Sequence, residues 1–138
     1  MLWPLRWRTA RSAIKVGDRL YLDGKVDTAL RAFRRAADSG SYHGAPAGAW
    51  WTATVLREQQ DREGARSYYE RAIASGHEAW APRAATDLAG MFEEQGQVAK
   101  AAGYYRQAIA YGDRSNPSAL WARRAQEKLD ALLRRSTD

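Results

Sequence analysis

Two histidines, two adjacent glutamates and two adjacent tryptophans are the residues that could do chemistry or grip a ligand in this 138-residue chain. His43 and His77 lie in Gly- and Ser-rich stretches. Neither has a carboxylate and serine arranged about it, or a second ligand at metal-binding spacing. A hydrogen bond within a loop is the expected role of each, and no metal or cofactor is expected. Glu93 and Glu94 are neighbours, and neighbours on a helix point about 100° apart, so they do not share a proton as an acid/base pair. Glycines occur singly at expected turns, so no loop cradles a phosphate. Cysteine is absent, which removes disulfides and thiolate metal sites. No catalytic constellation emerges, and an enzyme is not expected. Trp50 and Trp51 point elsewhere, because tryptophan is favoured at the centres of binding surfaces.

The elements that must position these residues come from a block that recurs three times. It reads "TALRAFRRAADSG" over residues 28–40, "GARSYYERAIASG" over 64–76 and "AAGYYRQAIAYG" over 101–112. Ala29, Ala65 and Ala101 open it. Phe33, Tyr69 and Tyr105 follow, then Ala36, Ala72 and Ala108, then Gly40, Gly76 and Gly112. Each copy is 36 residues after the last, and a fixed period in this range marks a stacked array of helical units. A second helix precedes each block. Ala13, Val16, Gly17 and Leu20 share one face in the first copy. Ala49, Thr52, Ala53 and Leu56 answer them in the second, and Ala85, Leu88, Ala89 and Phe92 in the third. Helices are expected over 9–22, 26–39, 45–59, 62–75, 98–111 and from 81 to a break at Gly96. Gly24 and "QQDREG" make the other turns within pairs, and Pro46 and Pro82 fall in first turns, where proline is tolerated. Ser115 or Asn116 followed by Pro117 signals a seventh helix over 117–135, with Trp121, Ala125, Leu129 and Leu132 on one stripe.

This layout resembles the tetratricopeptide repeat. Gly17, Ala53 and Ala89 match that family's small residue at the helix crossing, and the Ala–x3–aromatic–x2–Ala positions match its second helix. The period of 36 exceeds the usual 34. The endings "AADSG" and "AIASG" are also similar to Sel1-like repeats, but the glycine-rich insert of that cousin is missing. The resemblance implies an all-α, right-handed superhelical stack of three helix-turn-helix repeats plus a C-terminal capping helix, seven helices in all. The repeats would span 9–44, 45–80 and 81–116, with the capping helix over 117–135 and a tail at 136–138.

In such a fold the first helix of each pair lines a concave groove that holds a peptide or a partner protein. The residues expected to face it are Arg11, Lys15, Asp18 and Tyr21; Trp50, Trp51, Thr54 and Arg57; and Arg83, Asp87, Glu93 and Glu94. The first end is basic (Arg11, Lys15, Arg19) and the last acidic (Asp87, Glu93, Glu94), which would orient a peptide of opposite charge order. The family's chaperone-binding members clamp a terminal carboxylate with lysine and asparagine. The asparagine positions here hold Asp18, Thr54 and Gly90, so capture of such a tail is not expected.

The net charge is +6, with 18 arginines against 4 lysines, as suits a GC-rich bacterial genome. A basic surface permits contact with nucleic acid. Against it, many arginines stand one helical turn from a carboxylate: Asp27 with Arg31, Arg34 with Asp38, Arg66 with Glu70. Residues 1–8 stand apart, with Leu2, Trp3, Leu5 and Trp7 alternating with Pro4, Arg6 and Arg8. They are expected to fold over the first end of the stack, or to serve as a membrane-surface or docking segment. Self-association through Trp80 and Trp121 is a further expectation, since both could leave apolar patches at repeat edges. No apolar run is long enough to span a bilayer, no secretory signal is evident, and a cytoplasmic location is expected.

Tyr69 belongs to the middle copy, where its ring is expected to be fully enclosed. Tyr69→Ala should therefore cost about 3–5 kcal/mol. A thermal melt that moves by only a degree or two would refute the assignment of this ring to the core.

Overall fold

A computed structural model describes residues 9–112 and 118–137 of the chain. Among the described residues there are seven α-helices and no strand. They are α1 (Ala10–Leu22), α2 (Val26–Ala37), α3 (Gly44–Glu58), α4 (Arg62–Ala74), α5 (Trp80–Glu94), α6 (Val98–Ile109) and α7 (Ser118–Thr137). The segment 1–8 and the start signal at Ser115, Asn116 and Pro117 lie outside the described residues. α7 continues two residues past the expected end at 135, so Ser136 and Thr137 are helical rather than tail.

The chain divides into two compact units, Met1–Ser75 and Gly76–Asp138. In the first, α1 pairs with α2 and α3 with α4, while α3 also packs on α2 and lies beside α1. In the second, α5 pairs with α6, and α7 packs on both. α7 thus meets α6 and α5 as α3 meets α2 and α1.

The aromatic position of the repeat is the floor of each hairpin. Phe33, Tyr69 and Tyr105 are 0%, 1% and 1% exposed, and the alanines four before and three after each ring are fully buried. Opposite the ring the first helix must be bare. A Cβ added at Gly17 would stand 2.6 Å from Phe33 Cε1, closer than carbon atoms can approach. Ala53 and Ala89, one and two repeats on, are the largest residues used at that crossing and are fully buried. Val16 and Leu20 are only half-buried, less than their shared stripe implies.

Side-chain caps close two helix starts, and one loop contact recurs with the repeat. Thr9 Oγ1 accepts the Ser12 N–H at the start of α1 (3.1 Å), and Asp61 Oδ1 accepts the Gly64 N–H at the start of α4 (3.0 Å). His77 Nδ1 accepts the N–H groups of Ala79 and Trp80 (3.1 and 3.4 Å) where α5 begins. Ser41, 36 residues earlier, does the same for Gly44 at the start of α3 (3.1 Å). His77 is therefore a loop hydrogen-bonding residue, and His43 is exposed, edge-on to Tyr42.

The turn inside each hairpin needs one residue in the left-handed region. Gly24 (φ 79°) and Gly96 (φ 73°) supply it in two copies, but the middle copy has Gln60 at φ 66°. A side chain costs roughly 1 kcal/mol in that conformation. Gln60→Gly should stabilise the protein by up to about 0.5 kcal/mol in chemical denaturation, after the added freedom of glycine in the unfolded chain is deducted. A loss of stability would show that the Gln60 side chain supports the turn.

Candidate functional site

The first helices of neighbouring pairs lie side by side in the first unit, and their outward residues form its candidate surface. On α1, Asp18 and Tyr21 are half-buried, while Arg11 and Lys15 are exposed. Tyr21 reaches across: its hydroxyl donates to Glu58 Oε2 at the end of α3. That bond, then desolvation and the negative charge of Glu58, push the Tyr21 hydroxyl above its ordinary value of 10.0. Around the bridge opens a cleft lined by Tyr21, Leu22, Val26, Val55, Glu58 and Gln59. Its floor is apolar, its rim carries the polar pair, and Leu22 stands 75% exposed at its edge.

The two tryptophans of α3 do not both face outward. Trp50 is 7% exposed and belongs to the core, contrary to its expected off-core placement. The reason is that α3 packs on α1, α2 and α4 together, so nearly its whole circumference is enclosed. Trp51 is half-buried, stacked on Phe33 at 5.2 Å between centroids and edge-on to Trp50 at 5.1 Å. Thr54 Oγ1 lies 3.1 Å from the hydroxyl of buried Tyr69, so its side chain serves the hairpin as well as the surface. Arg57 is half-buried beside them.

In the second unit the expected acidic end is partly engaged. Glu93 accepts a hydrogen bond from Tyr105 Oη (3.0 Å) and pairs with Arg135 of α7 (2.6 Å). It ties α5 to α6 and α7 instead of standing open. Asp87 is half-buried and Glu94 exposed. Arg83 lies over the rings of Trp80 (5.3 Å) and Trp121 (5.0 Å), and Arg124 also lies over Trp121 (4.9 Å). These cations cover the two indoles that the sequence suggested as apolar patches, each contact being worth about 0.5–1 kcal/mol at an exposed site.

Of the charge pairs read from helix spacing, Arg66–Glu70 forms (3.0 Å). Asp38 pairs instead with Arg71 of α4 (2.7 Å), which also donates to the Ala37 carbonyl and closes α4 onto the end of α2. No three His, Asp or Glu side chains gather at one point among the described residues. No described helix is long and apolar enough to cross a membrane.

Sequence reasoning missed Glu58 and Arg135. A signal for Glu58 existed: it stands 37 residues after Tyr21, one repeat plus one residue, where side chains of adjacent first helices meet. Arg135 had none, because its partner is set by how α7 lies on α5.

Helical hairpins with a small residue facing a buried ring define this as a helical-repeat protein. A family model described as tetratricopeptide repeat matches residues 14–79 and again residues 52–119. These windows cover well over half of the chain, which belongs to the tetratricopeptide-repeat family. No curated protein matches it significantly.

The raised value of Tyr21 favours its protonated form in the folded chain, so the bridge's contribution is full below pH 10.0 and fades as pH climbs through the raised value. Tyrosine-ring NMR should show Tyr21 ionising above its ordinary value of 10.0, and Glu58→Gln should bring it back toward that value. An unmoved titration in that variant would mean the two groups do not meet in solution.

Proposed function

We propose that the chain is a non-catalytic scaffold or adaptor, cytoplasmic in location, that holds a peptide or a partner protein against the first helices of its repeats. Members of this family generally mediate protein–protein interaction. The observation that carries the reading is the cleft between the end of α1, the start of α2 and the end of α3. It is an open, mostly apolar hollow beside the Tyr21–Glu58 pair, and apolar surface rimmed by polar groups is typical of a protein-interaction site. Asp18, Thr54 and Arg57, half-buried on α1 and α3, are the further contact residues proposed in the first unit. Trp51 contributes one face of its ring, the other being occupied by Phe33. The contact residues proposed in the second unit are Arg83, Asp87 and Glu94.

Selection of displayed random peptides on the immobilised full chain tests this. Selected peptides should bind Asp18→Arg, Arg57→Glu and Glu58→Ala about tenfold more weakly, the effect of losing one contact of a little over 1 kcal/mol. Arg34→Glu, on the exposed face of α2, should bind unchanged. If selection yields no peptide, or peptides indifferent to all three substitutions, the cleft is not the site.

A further inference from the structure

The outer face of α1 carries a row of cations that no described residue pairs with. Arg11, Lys15 and Arg19 follow one another at one-turn spacing, and all three are exposed. With about 100° per residue, they and Leu22 fall within roughly 80° of arc, on the side opposite buried Ala10, Ala13 and Gly17. None of the three cations has an ion pair or hydrogen bond among the described residues. Like charges one turn apart repel, so the row costs the isolated helix stability.

The repeat shows what this face is. One period on, the same positions of α3 hold Ala47, Trp51 and Val55. Ala47 and Val55 are buried, and Trp51 stacks on Phe33 of the preceding hairpin. Gly48 lies so close to α2 that an added Cβ would stand 2.5 Å from the Ala37 nitrogen. α3 therefore uses this face to stack, whereas α1 presents three positive charges on it. A face that needed only to stay soluble would be served by mixed signs. Here three cations outweigh the one acid at the margin, half-buried Asp18 one turn from Lys15, and the row ends on Leu22 at the edge of the cleft.

We propose that this face docks an acidic polypeptide segment: one with carboxylates about 6 Å apart, as on one face of a helix, followed by an aliphatic side chain that covers Leu22 and enters the cleft. This rests on the reading of the chain as a polypeptide-binding scaffold and specifies the partner. Charge disfavours residues 1–8 as the occupant, since they contain Arg6 and Arg8 and no carboxylate. Nucleic acid is disfavoured because no aromatic side chain punctuates the row to receive a base, and an aliphatic residue terminates it.

The test is fluorescence anisotropy of the full chain at low salt. The probe is a labelled helix-forming peptide of about 18 residues with glutamates at i, i+4 and i+8 and leucine at i+11. A scrambled peptide of equal composition and a single-stranded oligonucleotide serve as competitors. The patterned peptide should bind best and weaken as salt rises. The triple variant Arg11→Glu/Lys15→Glu/Arg19→Glu should lose about tenfold or more, and Leu22→Asp severalfold. A peptide with lysine in place of each glutamate should bind the triple variant and restore affinity, which a folding defect could not produce. Equal binding by wild type and triple variant, equal binding of the scrambled peptide, or preference for the oligonucleotide overturns the proposal. So does dimerisation of the chain alone that the triple variant abolishes. If peptides selected on the cleft bind but ignore these four positions, only this proposal fails; if no polypeptide binds at all, the scaffold reading fails with it.

Discussion

Everything in this chain depends on one steric fit: a ring on the second helix of each pair needs a bare patch on the first. Phe33 lies against Gly17 at a distance that admits no Cβ. That contact sets how near α1 and α2 approach, and the fully buried alanines flanking each ring line the rest of the interface. Helices of 12 to 15 residues with so much alanine would be marginal alone. They are held because burial at the crossing is dense and repeated. Side chains away from the crossing are then free to vary, and this is where the two units differ.

The polar tips of the buried tyrosines show how the fold solves the same problem differently in each copy. A buried hydroxyl requires a partner. Tyr69 finds Thr54, and the equivalent of Thr54 in the third copy is Gly90, which has no side chain to offer. Tyr105 turns to Glu93, three residues further along α5, and Glu93 in turn holds Arg135. In the first copy the ring is phenylalanine and no partner is needed. A residue that would otherwise belong to the outward surface is thereby drawn into holding the last helix.

The outward surface is accordingly divided between packing and recognition. Trp50 serves the core; Trp51 is shared; Thr54 and Glu93 are engaged by the tyrosines; Arg83 lies over two indoles. What stands outward on α1 is Arg11, Lys15, Arg19 and Leu22, with half-buried Asp18 beside them. These, with the Tyr21–Glu58 bridge and the cleft beneath it, are where a partner would be read. The charges and the apolar floor meet at Leu22, so a ligand satisfying one would be placed to satisfy the other.

The period of 36, the ring positions, the small residue at the crossing and the glycine breaks of two turns were legible in the residues alone, because each is a local or strictly periodic requirement. Periodicity could not say that Trp50 is buried, since that depends on how many neighbours enclose α3. Nor could it assign Asp38 to Arg71 rather than to Arg34 one turn back: a side chain takes the partner that three-dimensional packing brings nearest, here from α4. The hairpins were written in the sequence because a helix face repeats at a fixed spacing. The choice of which polar groups remain available belonged to the tertiary structure, because contacts between helices obey geometry and not spacing.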